Sequence, residues 1–151
     1  MYYGFDYDGQ VENFTLSSAA QDIFQIQAAA TVPFCLEHVV VTAGTTAQNI
    51  LRVQMVFRST ASTVQTATGT FKGKSENAPA AQATLLAGCT TVGTPGNLGG
   101  AQEWNVTAPL EYNWIPRALI IPAAGFLSLY SPAAFGTTLP ISIWIEGFEV
   151  R

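Results

Sequence analysis

Charge is the scarcest property of this 151-residue chain: Asp, Glu, Lys and Arg make up 11% of it, against about 25% in ordinary soluble domains. Hydrophobic residues reach 48%. A dispersed monomer relies on surface charge, so the shortage points to a surface that faces other chains. Six residues are basic, Arg52, Arg58, Lys72, Lys74, Arg117 and Arg151, and of these only the two lysines are close in sequence. With a formal net charge of −4, the chain lacks the clustered cations that phosphate backbones require, which argues against nucleic acid as a partner. No apolar run approaches the roughly 18 residues of a membrane helix, so no membrane partner is expected. Met1 to Gln10 is aromatic and acidic rather than basic and then apolar, unlike a secretory signal. The two cysteines, Cys35 and Cys89, are accordingly expected as reduced, buried thiols rather than a disulfide.

What the chain does contain is the pattern of short strands. The closing run Leu139-Pro-Ile-Ser-Ile-Trp-Ile-Glu-Gly-Phe-Glu-Val sends Ile141, Ile143 and Ile145 to one side and Ser142, Trp144 and Glu146 to the other. So regular a β-branched face must be buried. Phe34 to Thr42 and Asn49 to Arg58 read as longer strands, the second with Leu51, Val53, Met55 and Phe57 toward the core. Asp22 to Gln27, Gln102 to Thr107, Ala118 to Ile121 and Phe126 to Tyr130 read as shorter ones, and Gln10 to Leu16 as an edge strand with Val11, Asn13 and Thr15 on one face. Frequent Gly and Pro separate these runs, and no apolar stripe holds helical spacing. The expectation is an all-β fold, an antiparallel β-sandwich, jelly-roll-like, of about eight short strands. It forms one domain over residues 10–151, preceded by an N-terminal arm at 1–9. Ser59 to Ala101 is a long polar excursion of small residues, too long for a plain hairpin and therefore expected to be a functional loop.

Catalytic constellations are hard to assemble. His38 is the single histidine, and the Cys35-Leu-Glu-His spacing would place the two side chains on opposite faces of a regular strand, so no metal is expected there. No Gly-x-Ser-x-Gly elbow occurs. Glu146 and Glu149 are three apart on a strand and split across its faces. Lys72-Gly-Lys-Ser lacks the glycine loop of a phosphate cradle. Asn13-Phe-Thr and Asn105-Val-Thr match the glycosylation acceptor pattern by chance. The residues point to a protein that is not an enzyme and needs no cofactor.

Gln21-Asp-Ile-Phe-Gln-Ile, Leu36-Glu-His-Val-Val-Val, Leu51-Arg-Val-Gln-Met-Val-Phe-Arg, Tyr112-Asn-Trp-Ile-Pro and Ala118-Leu-Ile-Ile-Pro-Ala-Ala-Gly-Phe-Leu-Ser-Leu-Tyr together set a rhythm. That rhythm, spread over most of Gln10 to Glu149, resembles a group of small virion structural proteins of tailed bacteriophages. Members of that group often carry an Arg-Gly-rich turn where this chain has Arg58-Ser-Thr-Ala-Ser. The resemblance implies a capsid decoration (cement) protein, made in the host cytoplasm and bound to the exterior of the phage head. Its partners would be the major capsid protein and itself, as a homotrimer. The alternative is a tail-associated receptor- or carbohydrate-binding module with Trp104, Tyr112 or Trp114 as stacking platforms. Candidate interface residues are the arm aromatics Tyr2, Tyr3, Phe5 and Tyr7, together with Phe71, Lys72 and Lys74 of the excursion.

Overall fold

A computed structural model describes residues 4–133 and 138–151. The chain is all-β, with eleven strands among the described residues: β1 (Gly4–Leu16), β2 (Gln21–Gln27), β3 (Phe34–Ala43), β4 (Ile50–Arg58), β5 (Ala67–Gly73), β6 (Thr84–Cys89), β7 (Pro95–Asn105), β8 (Leu110–Asn113), β9 (Leu119–Ile121), β10 (Phe126–Ser131) and β11 (Leu139–Val150). They form one antiparallel sheet in the order β7-β4-β10-β2-β6-β5-β1-β11-β3-β8, with β9 beside β8 along β3. The sheet curls into a half-barrel compatible with a β-sandwich, and its inner face closes on a single apolar core.

The closing strand behaves as its alternation requires. Along β11 every second residue is buried, and Ile141, Ile143 and Ile145 lie in the core with Val39 and Val41 of the neighbouring β3. Leu51, Val53, Leu127, Leu129, Phe24 and Leu85 complete that core from the other half of the sheet. Each such side chain contributes about 1.5–3 kcal/mol by leaving water.

The turn between the two halves is made by β5. Ala67, Thr68 and Gly69 pair with β6, whereas Thr70 to Gly73 pair with β1. At that corner a β-carbon on Gly69 would lie 2.7 Å from side-chain carbons of Leu85 and Val11 and 2.8 Å from the Gln10 carbonyl oxygen. Only glycine lets the strands approach this closely.

Several expectations need correction. The strand beginning before Gln10 is central rather than an edge: β1 lies between β5 and β11, and Gly4 to Gly9 belong to it rather than to a free arm. A bulge between Val11 and Phe14, with Asn13 in the left-handed region at φ 50°, resets the alternation so that Phe14 and Leu16 turn inward instead of Asn13 and Thr15. Residues 59–101 are not a loop either. They supply β5, β6 and most of β7, because Thr is a good strand former and small neighbours let backbones pack flat. β5 and β6, together with β8, raise the count from about eight to eleven among the described residues.

Replacing Ile143 with Asp puts a carboxyl without a partner into the core, and we expect a loss of several kcal/mol. Urea unfolding checks this; an unchanged midpoint would mean that β11 does not sit in this register.

Candidate functional site

The densest cluster of polar side chains lies on the outer face of β2. The bulge opposite Leu129 and Tyr130 brings Asp22 and Gln25 to the same side. Both are fully buried, as are Ser62 and Ser128 beside them, with Arg58 nearly so. Arg58 grips the carboxylate with two donors, Nε to Oδ2 at 2.9 Å and Nη2 to Oδ1 at 2.5 Å. Oδ2 also accepts from the hydroxyls of Ser62 and Ser128. Gln25 donates to both serines and accepts the Ser62 backbone N–H at 2.9 Å. Arg58 Nη1 donates to the Gly93 carbonyl at 2.7 Å, and its guanidinium lies 4.9 Å from the centre of the Tyr130 ring.

This network is a fastener. Ser62 and Gly93 belong to a flap made of residues 59–66 and 90–94, which pair through Ser59 to Thr94 and through the Thr63–Thr91 bridge. The flap covers the outer face of β2, and Val56, on the outward side of β4 in the same hollow as Val92 and Gly93 of the flap, is 1% exposed. Here the carboxylate is held by a guanidinium and two hydroxyls, with no histidine among them. Asp22→Ala leaves the Arg58 charge buried without its partner and is expected to cost about 3–5 kcal/mol. The double variant Asp22→Ala/Arg58→Leu should lose less than the two single changes added together. Urea unfolding of the four proteins tests that, and strict additivity would contradict the coupling.

Both thiols are free and buried. Burial pushes Cys89 up to about 12, helped by the Asp22 carboxylate and opposed by Arg58. Burial also raises Cys35, with a smaller contribution from Glu37. Above pH 9 the unfolded chain releases the Cys89 proton while the folded chain retains it until about 12. Stability from this group is therefore complete below pH 9 and declines through the window up to about pH 12. Cys89→Ala should flatten the alkaline decline measured by denaturant titration, and an identical pH profile in the variant would contradict this.

A different kind of site opens where the curled sheet ends. The two free edges are β7 on one side and β8 with β9 on the other. Between them runs a groove lined by Met55, Phe57, Gly99, Gly100, Tyr112, Trp114 and Leu119. None of these side chains is charged. Tyr112 and Trp114 stack at 5.5 Å with 6° between their planes. The Tyr112 hydroxyl is buried with no hydrogen-bond partner among the described residues, and burial raises its proton affinity. An orphaned buried hydroxyl costs about 1–3 kcal/mol, a cost that an acceptor entering the groove would remove. A β-carbon on Gly100 would meet nothing within 4 Å, so the β7 wall is open there.

The residues expected at an interface fall elsewhere. Tyr2 and Tyr3 lie outside the described residues. Tyr7 is fully buried, its hydroxyl donating to the Pro79 carbonyl at 2.9 Å, and is not open to a partner. Phe71 packs inward over Gly9 and against Phe34, 4.8 Å between ring centres. Phe5 is half-buried beneath the Arg151 guanidinium. Lys74 pairs within the chain, with Glu146 and with Asp8, which leaves Lys72 exposed across from Asp8. Of the expected stacking rings, Trp104 is 3% exposed and donates to the Ala108 carbonyl, so it is core. Tyr112 and Trp114 are the pair in the groove.

Glu146 and Glu149 do split across the two faces of β11: Glu149 is buried and accepts from the Gln82 and Ala83 backbone N–H groups and from Arg151, whereas Glu146 faces outward. The argument from alternation fails for Cys35 and His38. A bulge at Glu37 puts both on the outer face of β3, where Cys35 is buried and His38 bonds Glu111 at 2.6 Å. Among the described residues no group of three or more His, Cys, Asp or Glu side chains is placed to hold a metal ion. Comparison with known proteins finds no matching family model, no matching curated protein and no matching solved structure.

Proposed function

We propose that this chain is a non-enzymatic structural protein of a phage virion, a capsid decoration protein that clamps neighbouring subunits of the shell, and that its clamp is the groove between β7 and β8. The observation that carries the reading is that the sheet ends in two strand edges flanking an uncharged, aromatic-lined groove. Strand edges present unpaired N–H and C=O groups, and natural proteins usually blunt them with charge, Pro or a bulge. The register shifts of β7 and its Pro95 lie toward the start of the strand, opposite Gln54 to Arg58, whereas the regular stretch Ala101 to Asn105, paired with Gln54 to Ile50, carries a single charged residue, Glu103. Backbone pairing to such an edge recruits extended segments of other proteins.

An added strand of about five residues would form several backbone hydrogen bonds, each with a net value of about 0.5–1.5 kcal/mol before ordering costs. That is modest for one contact. Repetition over many copies on a shell makes it effective. The scarcity of charge in the chain as a whole fits the same role, since little desolvation of ions opposes contact. Self-association as a trimer and placement on the head exterior belong to this proposal.

Gly100→Lys tests it. The open space at Gly100 lets the fold accept the side chain, so the melting temperature should not move. The ammonium then sits in the groove and should weaken sedimentation with expanded, undecorated shells by about tenfold or more. Equal co-sedimentation of the variant and the parent protein would remove the groove from the mechanism. Failure of the parent protein to bind shells would remove the decoration role.

A further inference from the structure

A second site lies on the opposite surface, the outer face of the half-sheet containing β1, β11 and β3. Cross-strand register sets two rows side by side there: Gln10, Trp144 and Val40 in one, and Ser142 and Thr42 in the next. Beside the second row the bulge in β1 interrupts the ladder. Asn13 adopts its left-handed conformation at that bulge and donates its backbone N–H to Ser142 Oγ at 2.9 Å. Bulges re-aim side chains and commonly border binding sites. This one leaves a depression of about 230 Å³ bordered by Gln10, Glu12, Thr42, Ser142 and Trp144. That is smaller than the roughly 300–1,000 Å³ of sites for drug-sized ligands, and suits one small ring.

The walls are organised before any ligand arrives. The Trp144 indole meets the His38 ring edge-on, 5.1 Å between centres at 89°. His38 is held in turn by Glu111 at 2.6 Å. The aromatic platform is therefore fixed by a chain of two contacts. Gln10 Nε2 donates to Glu12 Oε1 at 3.2 Å, which holds an amide and a carboxylate side by side on the rim. Trp144 is half-buried, and its indole N–H has no partner among the described residues, whereas that of Trp104 is satisfied by Ala108. The depression thus offers an aromatic ring, an unused donor, two hydroxyls and a carboxylate hydrogen-bonded to an amide.

The geometry points to a site for a neutral pyranose sugar. The apolar C–H face of such a ring packs on an aromatic surface, and its hydroxyls both donate and accept. Carboxylate and amide groups can serve two adjacent hydroxyls at once. Anions are disfavoured by Glu12. A quaternary cation would use the ring and Glu12 but leave the indole N–H, Thr42 and Ser142 without acceptors. The site is independent of the groove between β7 and β8 and of the shell-binding role.

The test uses the whole protein, ¹⁵N-labelled, with methyl glucoside, methyl galactoside and N-acetylglucosamine as probes up to about 100 mM, well above the millimolar Kd expected of a one-ring contact. Choline chloride is the cationic control. At least one sugar should shift the Trp144 indole resonance, assigned through Trp144→Phe, along a saturating curve with the amides of Gln10, Glu12 and Thr42. The Trp104 indole should stay still. Trp144→Ala and, separately, Thr42→Val with Glu12→Ala should weaken that binding by about tenfold or more, with melting temperatures close to the parent's. Both sets of changes lie on the outer face, so the second remains informative if the first fails to fold. No saturable shift with any of the three sugars, shifts centred on Trp114, preferential binding of choline, or full binding by the Thr42/Glu12 variant would each overturn the assignment.

Discussion

The Asp22–Arg58 pair is the interaction on which the outer half of the structure depends. A sheet with one apolar face normally leaves its other face to water. Here β2 is buried on both, by the core on one side and by the flap on the other. A carboxylate and a guanidinium so placed must be satisfied by protein alone, since each loses its hydration shell. The satisfying groups come from four separate stretches: Gln25 and Asp22 in β2, Ser62 and Gly93 in the flap, Ser128 in β10 and Arg58 at the end of β4. The network therefore fixes where those stretches lie relative to one another, which bare apolar contact does not. The Gly69 corner does the complementary task for the inner face, turning one continuous sheet so that its apolar side meets itself.

These two devices determine what remains available for function. Curling brings the free edges β7 and β8 to either side of one groove without pairing them, so the core ends in a slot rather than a closed wall. The slot exposes aromatic and aliphatic side chains, two strand edges and an unsatisfied hydroxyl. Those are the features that the proposed polypeptide partner would use. Near the opposite face two charged pairs are already made, Lys74 with Glu146 and His38 with Glu111.

Alternation made the closing strand legible: a β-branched residue at every second position leaves a single burial pattern, and β11 has it. The same reasoning failed where one extra residue enters a strand. At Asn13 and at Glu37 the period of two is interrupted, which reversed the inward face of β1 and brought Cys35 and His38 to one side. No residue type marks the bulge at Glu37, and Asn13, a type that tolerates the left-handed region, is only a weak mark. Arg58 lies on the outward side of the sheet, but its burial depends on a flap whose Ser, Thr and Gly residues carry no apolar signal. The strands of 59–101 were missed for the same reason, since small residues suit a covered or flat surface without announcing a core. Tyr112 and Trp114 stood out as aromatic residues, but their meeting with Met55 and Phe57 across the sheet edges is a product of topology alone.

The central claim is that the slot between β7 and β8 receives a segment of another chain on a phage head. A cryo-EM reconstruction of the native particle carrying this protein tests it most directly. The account predicts many copies on the outer surface of the head, each with an extended segment of a neighbouring chain lying between β7 and β8 over Tyr112 and Trp114. Copies on the head with that slot facing solvent, or copies confined to the tail, would contradict it.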